Sequence, residues 1–196
     1  MAFMRGLTFP GGLQPVLRGN GVYLRYPRVA DYPEWSRLRH ESREFLAPWE
    51  PSWASDELTK GAFRRRLKRY QREARADTAY AFFVFKEDDD SLMGGCTLSN
   101  VRRGVAQGCS MGYWIGERFA RQGYMFAAVK ALIPFIFGTL GLHRIEAACL
   151  ATNEPSKNLL TKVGFRQEGI ARRYLLINGE WQDHVLFALL AEDMPR

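Results

Sequence analysis

Arg121-Gln122-Gly123-Tyr124-Met125-Phe126, followed by His143-Arg144-Ile145-Glu146-Ala147-Ala148 and then Asn153-Glu154-Pro155-Ser156, is the stretch whose reading decides the fold. It lies within the run from Glu117 to Phe165, which reads as a strand end, a glycine turn opening a long apolar helix, and a second strand closing on Asn153. Phe126, Val129, Ile133, Ile136 and Leu140 recur at helical spacing and mark that helix's buried face, with Gly138 and Gly141 closing it. Pro134 removes one backbone bond and is expected to kink the C-terminal half, about three turns from the glycine. A βαβ unit with glycine at the mouth of its helix turns free backbone N–H groups toward an anion. The turn is therefore the expected phosphate site.

Outward from this unit the pattern is mixed α/β. Gly21 to Tyr26 alternates and reads as a first strand, and Asp31 can cap a helix running to about Glu44 with Pro33 in its opening turn. Phe45 to Trp53 holds Pro48, Pro51, Trp49 and Trp53 around Glu50 and reads as an ordered aromatic loop. Ala79 to Lys86 is a buried strand, Glu87 to Ser91 an acidic hairpin turn, Leu92 to Val101 its partner, and Cys109 to Gly116 a further strand. After the central unit come a short helix from Glu154 to Lys162, a strand from Gly164 to Leu176, a type I′ turn at Asn178-Gly179 and a last strand, Trp181 to Leu190. Met1 to Asn20 carries the turn signals Pro10-Gly11-Gly12 and Gly19-Asn20-Gly21 and reads as an irregular arm before one domain spanning 21–193.

Composition narrows the function classes. The 196 residues fit a single domain with a substantial core. No apolar run reaches the roughly 18 residues of a membrane span, and the start lacks a signal peptide's apolar region. Cys96, Cys109 and Cys149 have no paired spacing and read as reduced, packed thiols, which fits the cytoplasm. No His/Cys cluster has metal-ligand spacing, so no metal is expected. The net charge of +7 is concentrated between Asp56 and Arg75, where Lys60, Arg64, Arg65, Arg66, Lys68, Arg69, Arg72 and Arg75 interleave with Leu58, Phe63, Leu67 and Tyr70. That is an amphipathic helix with a cationic face, either simply solvated or attracted to ribosomal RNA or another polyanion.

The central words resemble the cofactor-binding core of the GNAT acetyltransferases. Leu24-Arg25-Tyr26-Pro27, Ser42-Arg43-Glu44-Phe45-Leu46-Ala47-Pro48-Trp49-Glu50-Pro51, Asn100-Val101-Arg102-Arg103-Gly104, Gly112-Tyr113-Trp114-Ile115-Gly116 and Ile177-Asn178-Gly179-Glu180-Trp181-Gln182-Asp183-His184 resemble the RimJ-type branch, which acetylates the N-terminal alanine of a ribosomal protein. The resemblance runs from about Gly21 to Asp193. It implies a mixed, mostly antiparallel sheet with splayed central strands and flanking helices, acetyl-CoA as co-substrate, and a protein N-terminus as acceptor. The oligomeric state stays open.

Site residues follow from the resemblance. Trp114, Ile115, Arg121, Gln122, Gly123, Tyr124, Met125, Phe126, Asn153 and Ser156 are the expected cofactor contacts, with an N–H near Ile115 as oxyanion donor. Ala120 stands where the superfamily usually has Gln or Arg, and Met125 where it usually has Gly or Ala; Arg121 can supply a compensating charge. Ser156 would protonate the departing thiolate, or be an ordinary helix residue behind an Asn153 cap. Glu146 is the candidate base, or a structural carboxylate paired with Arg144 or Arg172. Tyr113 and Trp114 read as core or pocket wall. Phe45, Trp49, Glu50, Asn100 and Tyr174 would flank a peptide groove, Glu50 binding the terminal ammonium or shaping that groove. Asp183, His184 and His143 read as structural. Two other readings stay open: a GNAT enzyme acting on a small amine or a lysine, and a silent RNA-binding module.

Overall fold

A computed structural model describes residues 16–194. Eight strands form one sheet: β1 (Leu17–Gly19), β2 (Val22–Arg25), β3 (Tyr80–Lys86), β4 (Leu92–Arg102), β5 (Gly108–Ile115), β6 (Arg144–Leu150), β7 (Arg166–Ile177) and β8 (Glu180–Leu190). Their order across the sheet is β1-β2-β3-β4-β5-β6-β8-β7. Every neighbouring pair is antiparallel except β5–β6, whose parallel ladder covers only Gly108–Ser110 against Arg144–Glu146. The helices are α1 (Tyr32–Glu41), α2 (Arg43–Leu46), α3 (Lys60–Arg75), α4 (Tyr124–Pro134) and α5 (Glu154–Val163).

Period-two alternation on β3 shows how the layers are built. Tyr80, Phe82 and Val84 enter one buried cluster with Ala128, Leu132 and Ile136 of the α4 region and Leu160 and Val163 of α5. Phe83 and Phe85 enter another with Trp35 and Leu38 of α1 and Phe63 and Leu67 of α3. A strand buried on both faces must be apolar along its buried length, and β3 is from Tyr80 to Phe85.

Several expectations are revised. Residues 1–15 of the expected irregular arm lie outside the described residues, but the rest is not irregular: Leu17–Gly19 is an edge strand whose turn is the Gly19-Asn20-Gly21 signal itself. Asp31 precedes α1 without capping it, because its carboxylate takes the Arg25 guanidinium at 2.7 and 2.9 Å and the Arg28 N–H at 2.7 Å. The helix stops at Glu41 and restarts as α2, and the aromatic loop is partly helical, with a 3-10 turn at Ala47–Trp49. α3 begins at Lys60, capped by the Thr59 hydroxyl, which accepts from Ala62 N–H. Beyond Pro134, α4 widens into a π-helical turn, Phe135–Thr139, which accommodates the lost bond.

The close approach of β4 to β5 sets where β5 lies. A Cβ on Gly94 would stand 2.2 Å from the Trp114 carbonyl oxygen and 3.0 Å from Ile115 Cα, both backbone atoms that cannot swing away. Gly94→Ala must therefore push β5 off its neighbour, an overpacking cost of about 1–3 kcal/mol. Chemical denaturation should give a lower midpoint at an unchanged m-value; a wild-type midpoint would show that the contact is not binding.

Candidate active site

The site is built at the place where β5 and β6 part. Their pairing ends at Ser110 and Glu146, yet β5 continues to Ile115 and β6 to Leu150, leaving a wedge between them. The backbone of β5 faces this wedge in a fixed alternation. Gly116 N–H donates to Met93 O on the β4 side at 2.8 Å, so the N–H and C=O of Ile115, Tyr113 and Met111 turn away from β4. With β6 splayed off past the Ser110–Glu146 pair, which still takes Met111 N–H, the Met111 carbonyl and the backbone groups of Tyr113 and Ile115 have no ladder partner and are available to a polar ligand. Ile115 N–H, the expected oxyanion donor, is one of them.

The mouth of the wedge is the start of α4. Gly123 has φ +87°, a left-handed conformation that glycine adopts without strain, and Arg121 two residues earlier has φ +62°. No side chain caps the helix, so the N–H groups of its first turn have no intrahelical partner, and Gln122, Gly123, Tyr124 and Phe126 line an open cavity beside them. Arg121 and Gln122 are exposed beside them, and Gln122 Nε2 donates to Arg118 O at 2.8 Å. Lys130 carries a further positive charge on α4, and Lys162 of α5 lies over the Phe126 ring at 4.9 Å. The Tyr124 ring packs edge-on to Phe119, while the Met125 side chain is buried against the Cys96 thiol. Met125 thus offers the mouth its backbone N–H, which explains why a bulky side chain is compatible at that position.

Across the wedge, Asn153 caps α5: its Oδ1 accepts from Ser156 N–H at 3.1 Å. The Ser156 hydroxyl lies 2.7 Å from the Tyr113 hydroxyl. A β5 side chain and an α5 side chain therefore bridge the gap, a partnership that sequence reasoning missed by assigning Tyr113 to core or wall. The alternation of Gly112-Tyr113-Trp114 places the Tyr113 ring on the α4–α5 face but does not disclose its reach. Burial raises the Tyr113 phenol pKa, so it stays protonated. Burial also raises the Cys149 thiol at the same hydroxyl, and pushes Cys96 and Cys109 up to about 12, which makes all three poor thiolates.

On the opposite face of the sheet a cleft of about 570 Å³ is lined by residues that include Glu73, Asn100, Arg102, Ser110, Glu146 and Tyr174. It brings together three of the expected acceptor-side residues. Asn100 (φ +51°) sits in an irregularity of β4 and donates to Ser110 Oγ at 3.4 Å. Glu146 accepts from Arg102 Nη2 at 2.6 Å and from Arg144 Nε at 3.0 Å, so its expected pairing with Arg144 forms, Arg102 joins it, and Arg172 does not. Arg144 also holds Glu168, whose carboxyl it keeps below the usual range.

Phe45, Trp49 and Glu50 do not line this cleft. Phe45 and Trp49 are half-buried in the α2 region. Glu50 receives the Arg39 guanidinium at 2.7 Å on each oxygen and the Trp53 indole N–H at 2.8 Å. Arg39 is buried between the Trp53 and Trp114 rings, with centroids at 4.2 and 4.9 Å. Both carboxylate oxygens of Glu50 thus carry structural hydrogen bonds from Arg39 and Trp53. Its backbone carbonyl accepts Asn178 N–H at 3.1 Å and ties the aromatic loop to the β7–β8 turn. Trp114 likewise points to this face rather than into the wedge. Asp183, His184 and His143 make the structural hydrogen bonds expected of them. Among the described residues, no group of three or more His, Cys, Asp or Glu is arranged to hold a metal ion.

A parted parallel pair, a helix mouth of free amides and a hydroxyl pair between them can hold a diphosphate at one end and an acyl thioester at the other. The Gly123 position offers a direct check. Asn tolerates a left-handed backbone, so Gly123→Asn and Gly123→Asp share the strain and differ in charge. Calorimetry with CoA should show the Asp variant at least about tenfold weaker than the Asn variant; equal affinities would remove the phosphate from this turn.

Comparison with known proteins agrees with this geometry. Residues 22–166 match the family model described as an acetyltransferase (GNAT) domain. The chain is 37% identical over 166 residues to the [ribosomal protein uS5]-alanine N-acetyltransferase of Escherichia coli, covering 85% of this chain and 82% of that protein. It is 36% identical over 178 residues to the probable N-acetyltransferase YjcK of Bacillus subtilis, covering 91% and 98%. Among solved structures, Mycobacterium smegmatis RimJ in complex with CoA-disulfide superposes with a TM-score of 0.86 at 33% identity, covering 93% of this chain and 89% of that one. With a splayed β5–β6 pair, an uncapped glycine-led helix at its mouth and a family match over most of its length, the chain belongs to the GNAT acetyltransferases.

Proposed function

We propose that this acetyltransferase moves the acetyl group of acetyl-CoA onto the N-terminal α-amino group of a ribosomal protein, most simply one beginning with alanine. The observation that carries the acceptor side is the cleft that joins Asn100, Glu146 and Tyr174 on the sheet face opposite α4. Similarity to the uS5-alanine enzyme over most of both chains supports the same substrate class. The setting would be the cytoplasm, and no helix among the described residues is long and apolar enough to cross a membrane.

The diphosphate rests on the N–H groups at Gly123 to Phe126, with Arg121 and Gln122 alongside. The pantetheine runs from that mouth into the wedge along the free backbone groups of β5, and an N–H near Ile115 donates to the thioester oxygen. One such donor contributes about 3 kcal/mol to transition-state stabilisation. An α-amino group has a pKa of about 8, so roughly a tenth is neutral at pH 7 and only modest base help is required. Glu146 gives it through water rather than by direct contact, because Arg102 and Arg144 already occupy its oxygens. As the C–N bond forms and the C–S bond breaks, the amine proton leaves toward Glu146. Ser156 gives its proton to the departing thiolate and regains one from water, and Tyr113 holds the serine hydroxyl in place. Ser156→Ala should lower kcat about tenfold or more with the CoA dissociation constant nearly unchanged, and Tyr113→Phe should lower it less. Thiol release with a panel of Ala-initiated peptides, blocked peptides, lysine peptides and small amines tests the whole reading; turnover confined to lysine or small amines would overturn it.

The ribosomal setting also gives α3 a partner. Arg65 pairs with Asp56, Arg66 with Glu57, and Arg69 lies 3.7 Å from Glu73. Arg64, Lys68, Arg72 and Arg75 are exposed, have no acidic partner within salt-bridge distance among the described residues, and recur at helical spacing on one side. This stripe, about 16 Å long, suits the phosphates of ribosomal RNA. Reversing these four to Glu should spare activity on short peptides and weaken ribosome association in a salt-dependent way; unchanged association would reduce α3 to a solvated helix.

A further inference from the structure

The β7–β8 ladder carries a device beside the acceptor cleft. Ala171 pairs with His184 and Leu175 with Gln182, so Arg172, Arg173 and Tyr174 oppose the single residue Asp183. Arg173 takes φ +45°, a left-handed conformation that costs a β-strand arginine energy unless its surroundings hold it. The holding contact is Asp183 Oδ1, which accepts Arg173 N–H at 2.8 Å.

The consequence is a change of face. In a regular strand Tyr174 is an odd number of residues from Ala171 and would point away from the side that His184 occupies. The bulge turns it back, so that its ring lies edge-on to the His184 imidazole at 5.8 Å. His184 is 3% exposed, and its Nδ1–H donates to Gln182 O at 2.9 Å, which fixes the ring on which Tyr174 rests. His184 pairs with Leu150 of β6, and by alternation Leu150, Ala148 and Glu146 share one face. Tyr174 reaches the cleft of Glu146 and Asn100 only because the strand is bulged.

We infer that Tyr174 is the wall that limits the size of the acceptor's first side chain, and that Asp183 is the positioning residue that keeps it there by holding the β7 bulge. The inference deepens the α-amino acceptor reading and rests on it. The cleft's other side is Asn100 in the irregularity of β4, so a side chain between them is limited by two bulged segments rather than by mobile loops.

The test uses the full chain with acetyl-CoA and peptides identical except for Ala, Ser, Val or Leu at the first position. Tyr174→Ala should raise kcat/KM for Val and Leu relative to Ala by roughly tenfold or more. Asp183→Ala should move the ratio in the same direction, and Asp183→Asn, which retains an acceptor oxygen, should restore the wild-type ratio. CoA affinity should be unchanged in all three. NMR gives a readout independent of turnover: the ring-current shift that Tyr174 imposes on the His184 ring protons should vanish in Asp183→Ala and persist in Asp183→Asn. An unchanged ratio in Tyr174→Ala overturns the wall, and a retained ring-current shift in Asp183→Ala overturns the positioning role. A wild-type chain with the ring-current shift but no turnover on any α-amine peptide would overturn the acceptor reading and the wall together, leaving Asp183 as the holder of the bulge.

Discussion

The β5–β6 ladder stops after Ser110 and Glu146, and the rest of the site depends on that interruption. A parallel pair continued to its ends would consume the inward amides of β5 in sheet bonds. Parted, it presents the Met111 carbonyl and the backbone groups of Tyr113 and Ile115 as an ordered row of donors and acceptors on a rigid strand. The rigidity comes from the other side: β4 pairs with β5 from Gly94 to Ile115 onward, at a separation that tolerates no Cβ at Gly94. β6 is fixed just as firmly by β8, from Arg144–Leu190 to Leu150–His184. Each strand is thus held by its outer neighbour, and the wedge between them needs no internal bonds to stay open.

Both ends of the wedge use main-chain chemistry, and this accounts for the departures from the usual sequence pattern. The mouth is made by the φ values of Arg121 and Gly123 and the uncapped first turn of α4, so Ala120 and Met125 leave it intact. Side chains reach the wedge from its flanks: Ser156 and Tyr113 meet across the gap on one face, while Glu146 stands at its closed end on the other. Preorganised dipoles of this kind act without rearrangement during the reaction, which is where their catalytic value lies.

How much was legible in the sequence depended on whether a residue acts through local or distant structure. The strand and helix succession followed from alternation on Tyr80–Lys86, the Gly123 turn and Asn178-Gly179, whose positive φ values (45° and 85°) are those a type I′ turn requires. What escaped were contacts between elements far apart in sequence. The Arg39–Glu50–Trp53 cluster, with Trp114 stacked on it, builds Glu50 into the aromatic loop. The Tyr113–Ser156 pair depends on how far two elements splay, and no spacing encodes that. The three-residue bulge at Arg172–Tyr174 left no glycine or proline to announce it; its only trace is Asp183, ten residues away from the N–H it holds.

The wedge and its helix mouth together constitute the central claim, and a crystal structure with acetyl-CoA tests it most directly. The diphosphate should lie against the N–H groups of Gly123 to Phe126, with the thioester oxygen facing a β5 N–H near Ile115 and the sulfur beside the Ser156 hydroxyl. Acetyl-CoA bound elsewhere, or β5 and β6 zipped together past Ser110 in its presence, would contradict it.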